Sequence, residues 1–172
     1  MMLVEEYDPE WSRSFEKIKE FLEEGLGDSF LSIEHIGSTS IKGMVAKPII
    51  DIDIVIKPGS FPATLQKLEV LGYLHQGDLG IKGREAFDLK DEAKKQLLPK
   101  HHMYVCQSDS EELKRHLAFK KYLEKHPEMA KKLSIYKKAL AVKYNNDLNA
   151  YINGKSELVS RITAVAMKKN KG

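Results

Sequence analysis

The stretch KPIIDIDIVI, residues 47–56, decides how this chain is read. Side chains alternate across a strand, so Ile50, Ile52, Ile54 and Ile56 share one face, which their character assigns to a core. Ile49, Asp51, Asp53 and Val55 take the other face. Alternate Cα atoms along a strand lie about 6.6 Å apart, so the two carboxylates stand side by side. At an effective dielectric of about 20 their repulsion is of order 2 to 3 kcal/mol. No basic residue within IIDIDIVI relieves it. A divalent cation would, because Mg²⁺ takes one or two carboxylates together with phosphate oxygens. The plainer alternative is a strand with one wet face and two solvated aspartates.

The turn just upstream favours the metal. Ile36-Gly37-Ser38 ends the preceding apolar run, and glycine lets a backbone approach a ligand closely. Ser38, Thr39 and Ser40 offer hydroxyl and N–H groups where a short helix would begin, a ready anion site. Twelve residues, 39–50, separate Ser38 from Asp51. A Gly-Ser cradle followed by Asp-x-Asp suits a nucleoside triphosphate: the cradle grips the terminal phosphates while Asp51 and Asp53 hold metal at the reacting one.

Working outward, residues 9–25 predict an amphipathic helix with Trp11, Phe15, Ile18 and Leu22 on one face. Residues 30–37 predict a short strand, and 38–47 a turn or one short helix. After the strand that Pro48 opens comes a helix from Phe61 to about Gly72. Short strands follow at 73–75 and 85–89, with a clearer one at 101–106. The segments 77–83 and 91–100 read as loops. SDSEE, residues 108–112, combines N-cap and acidic first-turn features. Beyond it the chain is expected to be helical almost to the end, broken at His126–Pro127, with a Lys-rich tail that frays. Strand, strand, helix and strand followed by helices predict an α+β fold with a mixed sheet.

Composition sets the outer limits. At 172 residues the simplest organisation is one domain, with a core over about 25–107 and a helical segment over about 109–169. Hydrophobic residues at 42% can fill a core, while charged residues at 31% exclude fibrous and membrane classes. No apolar run approaches the roughly 20 residues that span a bilayer. The acidic start MMLVEEYDPEW lacks the features of a signal peptide. A lone Cys106 excludes an internal disulfide, and a reducing, cytoplasmic setting is expected. Cys106, His101, His102 and His116 have none of the spacings of a structural zinc site. Charge is uneven: residues 1–108 carry 13 Lys/Arg against 18 Asp/Glu, a net −5, and residues 109–172 carry 15 against 7, a net +8. The basic half is either a solvated helical face or a surface that draws a polyanion such as a nucleotide or RNA.

An apolar residue, Gly-Ser, a spacer and Asp-h-Asp-h on a strand resembles the signature of the nucleotidyltransferase superfamily. More closely, the chain resembles the GrpB-like (UPF0157) family. The blocks that carry this are VEEYDPEW, EHIGSTSIKGMVAKPIIDIDI, GREAF, HHMYV, HLAFKKYL and DLNAYINGK, in that order and spread over nearly the whole chain. The resemblance implies a nucleotidyltransferase-like core wrapped by helices, Mg²⁺ or Mn²⁺ as cofactor and an NTP as substrate or ligand. The superfamily usually adds a third carboxylate from a neighbouring strand. HHMYV corresponds to that strand, where the family tends to read His-Leu-His and this chain has His102-Met103-Tyr104. Asp88 is the nearest acidic substitute.

Other candidates fit around this pair. Met103 and Val105 look like core, which turns His102 and Tyr104 toward the acids, and an imidazole can ligate metal or serve as a base near neutral pH. Lys47, held extended by Pro48, places an ammonium near phosphate or stays solvated. Arg84 suits bidentate phosphate contact or is plain surface charge. Tyr151 and Lys155 share a helical face and match the family's Tyr-x-x-x-Lys, so Lys155 reaches a triphosphate or sits on the helix surface. His35 braces the glycine turn. The expected activity is Mg²⁺-dependent transfer of a nucleoside monophosphate from NTP to a hydroxyl on an unknown small-molecule or macromolecular acceptor. The alternatives are a non-catalytic nucleotide- or phosphate-binding module and, further off, an RNA-associated adaptor. No membrane partner is expected, and no aromatic–basic motif supports specific nucleic-acid recognition.

Overall fold

The structure is a computed structural model and describes residues 3–170. It contains helix α1 (Glu10–Leu26), strand β1 (Ser32–Ile36), a single 3₁₀ turn (Ser38–Ser40) and strand β2 (Ile50–Ile56). Helix α2 (Phe61–Val70), β3 (Tyr73–His75), β4 (Glu85–Leu89), α3 (Glu92–Leu97) and β5 (His101–Gln107) follow. Three helices close the chain: α4 (Glu111–Lys125), α5 (Pro127–Lys143) and α6 (Leu148–Asn170). The predicted α+β class and mixed sheet are present. Strand order is β1-β2-β5-β4-β3, with β2 and β5 parallel and every other pair antiparallel.

The isoleucine face of β2 packs as expected. Ile50, Ile52, Ile54 and Ile56 meet the α1 stripe Trp11, Phe15, Ile18, Leu22 and Leu26, with Met103 and Val105 joining from β5. The opposite face is not a wet one. α4 covers it, Leu113 packs on Val55 and Cys106, and Asp53 is 0% exposed. A second cluster, built on Ile41, Met44, Phe119, Leu133 and Ile162, ties the segment after the 3₁₀ turn to α4, α5 and α6.

Three local expectations change. Residues 91–100, read as a loop, contain α3: Asp91 caps it by accepting from the Lys94 N–H at 3.0 Å. None of its residues is buried, so no hydrophobic period marked it. The C-terminal helical region breaks a second time, after Lys143, where Asn145 and Asn146 adopt left-handed backbone with φ of 49° and 60°. Asparagine enters that region more readily than most residues. The Lys-rich tail is helical through Asn170, and residues 171–172 lie outside the described residues.

Candidate functional site

The site gathers where β1 ends, β2 begins and the C-terminal helices fold back over the sheet. Gly37 has φ of 73°, and a Cβ there would lie 2.5 Å from Asp51 Oδ2. Glycine is therefore required twice over, for its backbone and for the closeness of the acid. The 3₁₀ turn is held by the Ser40 hydroxyl donating to Gly37 O at 2.6 Å and by a His35–Thr39 hydrogen bond of 2.9 Å. His35 stacks on Phe15 and, mainly through burial and then the Lys120 charge, has a pKa lowered to about 4. It stays neutral and braces the turn, as expected. Thr39, proposed from sequence as a phosphate contact, spends its hydroxyl on His35.

The two aspartates differ. Asp51, opposite His102 on β5, has a side chain 32% exposed, and its Oδ1 lies 3.3 Å from His102 Nδ1. Asp53, opposite Tyr104, is fully buried, and His116 Nδ1–H from α4 donates to its Oδ2 at 2.6 Å. Its Oδ1 is buried without a hydrogen-bond partner. Burial raises the Asp53 pKa, opposed by the hydrogen bond and charge of His116. Burial alone would lower the His116 pKa, but the Asp53 bond and the charges of Asp53 and Glu112 outweigh it and raise it. Glu112 Oε1 lies 3.2 Å from the other ring nitrogen of His116. The expectation that nothing basic relieves the acid pair holds for the strand itself; the relief comes from a helix 63 residues away.

Opposite the acids stand the amines. Lys137 on α5 is only 2% exposed; its Nζ donates to Ser38 Oγ and, at 3.2 Å, to Val45 O. Burial, then the Lys155 charge, lowers its pKa to about 7, while Asp51 pulls the other way. Lys155 is lowered by burial and by Lys47. Arg84 places its guanidinium carbon 4.3 Å from the Tyr104 ring centre, with its Nε buried and unpartnered. Two cavities open here, of about 830 and 430 Å³. Both are lined by Ser38, Asp51, Arg84, Tyr104, Lys137 and Lys155. Lys47, Thr39 and His102 line the smaller, and Glu112, His116 and the α6 face from Ser156 to Met167 line the larger.

Every sequence-proposed site residue therefore lies in or beside one region: Gly37, Ser38, Thr39, Lys47, Asp51, Asp53, Arg84, His102 and Lys155. Asp88 does not join them. It pairs with Lys90 at 2.7 Å and lines neither cavity. The sequence reading missed His116, Glu112 and Lys137. Lys137 leaves a trace: with Ala130, Leu133, Ser134, Leu140 and Ala141 it lies on the buried stripe of α5, the one charge among small and apolar positions of that stripe. Among the described residues no three His, Cys, Asp or Glu side chains form a metal-binding group. Two hard carboxylates, one with an orphaned oxygen, do fit a Mg²⁺ or Mn²⁺ ion that completes its shell with substrate phosphates and water.

The fold is that of the nucleotidyltransferases. The Cid1 poly(U) polymerase bound to MgATP superimposes with a TM-score of 0.54 at 9% identity, over 77% of this chain and 42% of that one. The chain itself belongs to the GrpB family: residues 2–165 match the model of the GrpB protein. It is 34% identical to the glutamate-rich protein GrpB of Alkalihalophilus pseudofirmus, over 88% of each chain. It is 36% identical to the UPF0157 protein YqkA of Bacillus subtilis over 96% of this chain, which spans only 47% of that longer relative. The crystal structure of the conserved protein GrpB from Enterococcus faecalis matches at a TM-score of 0.83 and 32% identity, covering 98% of this chain and 99% of that one. Among the described residues no helix is long and apolar enough to cross a membrane.

Proposed function

We propose that this protein transfers a nucleoside monophosphate from an NTP to a hydroxyl acceptor, with Mg²⁺ or Mn²⁺ held by Asp51 and Asp53. The observation that carries the reading is the convergence of Asp51, Ser38 and the amines of Lys137 and Lys155 at the junction of two cavities, with Asp53 buried two residues behind Asp51 on the same strand face and Gly37 in contact with Asp51. Two substrates need two chambers that share one reacting centre. The bound ion supplies Lewis-acid polarisation of the α-phosphate.

The chain's own groups do the rest. Gly37 and Ser38 receive the β- and γ-phosphates. Lys137 and Lys155, with Lys47 at the smaller cavity, offset charge on the departing pyrophosphate. Arg84 contacts phosphate from the Tyr104 side. His102, half exposed beside Asp51, accepts the proton of the acceptor hydroxyl. A partly buried pocket strengthens each of these contacts relative to water.

A second reading is a nucleotide-binding module without turnover. Asp53 favours it, since one carboxylate oxygen is already committed to His116 and its partner on β5 is Tyr104, not an acid. Calorimetric titration of the four NTPs, with and without Mg²⁺, on wild type and on Asp51→Asn and Asp53→Asn, tests both. Transfer predicts Mg²⁺-dependent binding and pyrophosphate release in the presence of acceptor. Binding with no pyrophosphate over a metabolite panel favours the module, and no nucleotide binding at millimolar concentration rejects both. Salt-sensitive RNA binding without a nucleotide effect would instead indicate the adaptor.

A further inference from the structure

Two-metal phosphoryl chemistry needs a set of acids wide enough to clamp two ions about 4 Å apart. Here the positions on β5 opposite Asp51 and Asp53 are His102 and Tyr104, neither of them acidic. On β1 the position opposite Asp53 is Glu34, yet apart from Asp51 the charges that act on Asp53 are those of His116 and Arg84. His116 occupies Oδ2, and the Arg84 guanidinium lies over the Tyr104 ring, close enough for its charge to act on Asp53 and His116. Arg84 lines both cavities, so its donors stand where the two chambers meet. It is also firmly seated: Ser110 caps α4 by accepting from the Leu113 N–H at 3.2 Å and donates its hydroxyl to Gly83 O at 2.7 Å, fixing the residue before Arg84. A Cβ on Gly83 would lie 2.8 Å from that hydroxyl.

A guanidinium held this way repels a second divalent ion, and its planar fork is matched to phosphate oxygens. We propose that Arg84 takes the place of a second metal ion: the site holds one divalent cation per chain, on Asp51 and Asp53, and Arg84 is the second positive charge on the reacting phosphate. The proposal rests on the nucleotidyl-transfer reading and specifies its metal count. It assigns Arg84 a role that a surface arginine would not have.

The test counts Mn²⁺ by the loss of its free electron-paramagnetic-resonance signal. The full chain is titrated alone and with the α,β-methylene analogues of ATP, GTP, CTP and UTP. One Mn²⁺ per chain is expected in the analogue complex. Arg84→Met should weaken analogue binding tenfold or more with the count still one, and Arg84→Lys, which keeps the charge, should recover part of the loss. Thermal melts show that each variant is folded, and the wild-type count does not depend on them. Two Mn²⁺ per wild-type chain, or an Arg84→Met variant binding within twofold of wild type, overturns this inference and leaves nucleotidyl transfer standing. Failure of all four analogues to bind with Mn²⁺ removes the nucleotide reading and this inference together.

Discussion

Lys137 Nζ donates a hydrogen bond to Ser38 Oγ across 99 residues of sequence, joining α5 to the turn that follows β1. The ammonium is almost wholly enclosed, with the Lys155 charge nearby and a hydroxyl and a backbone carbonyl as its partners. Such an arrangement costs folding stability and is useful to an anionic ligand.

Lys137→Met should therefore separate stability from binding. Replacing a poorly compensated buried cation by an apolar chain of similar length is expected to raise stability by about 1 kcal/mol or more, read by urea unfolding. Nucleotide affinity should fall at least tenfold, read by calorimetry. A variant both less stable and unchanged in binding would contradict this account of the lysine.

The same residue sets a pH dependence. Its pKa is about 7 in the folded protein against an ordinary 10.5. Between these values the unfolded chain binds a proton that the folded one does not, so stability rises with pH from about 7 to about 10.5. The penalty is fully present below that window. The slope can approach about 1.4 kcal/mol per pH unit. The difference between wild type and Lys137→Met, measured by urea unfolding at pH 7, 8 and 9, should narrow as pH rises.

His116 is the partner that lets Asp53 be buried. His116→Ala should lower stability by about 3 kcal/mol, because it strands a buried carboxylate. The double variant Asp53→Asn/His116→Gln, which removes both charges, should lose less than His116→Ala. Chemical denaturation of wild type and the two variants measures the difference.

Gly37→Ala should be costly out of proportion to one methyl group. It combines a left-handed backbone with a steric overlap on Asp51 Oδ2, for which about 1 to 3 kcal/mol is expected. Any folded fraction should bind Mg²⁺-nucleotide more weakly, since Asp51 must turn away. Thermal melts and calorimetry measure the two effects.

Thr39→Val removes a hydroxyl from His35 while keeping the shape. About 1 kcal/mol of stability should be lost. Nucleotide affinity should change by less than threefold if the hydroxyl serves the turn, whereas a tenfold loss would make Thr39 a ligand after all.

The legible parts of this molecule were those written within single elements. The period of two in IIDIDIVI gave β2 its core face, and the spacing of Trp11, Phe15, Ile18 and Leu22 gave α1. Gly37, Ser38, Asp51 and Asp53 were readable because the cradle and acids sit on one local β–turn–β unit. His102 followed from its alternation with Met103. His116 and Lys137 could not be read in the same way. Each serves a residue 63 or 99 positions away, and on its own helix it looks like one more polar side chain. α3 escaped because capping and charge, not burial, define it. The break at Asn145–Asn146 escaped because asparagine tolerates left-handed backbone without announcing it as glycine does.

One consequence concerns synthesis. The larger cavity is walled by α6, the final described element, which also brings Lys155. While a nascent chain is still being extended through that helix, β2 and the Gly37 turn are already outside the ribosome. The acid pair then exists with its cradle but without its last wall and last amine. If the proposed function holds, nucleotide capture needs a chain translated through about residue 167, and stalled or clipped products short of that point carry the acids without a complete chamber.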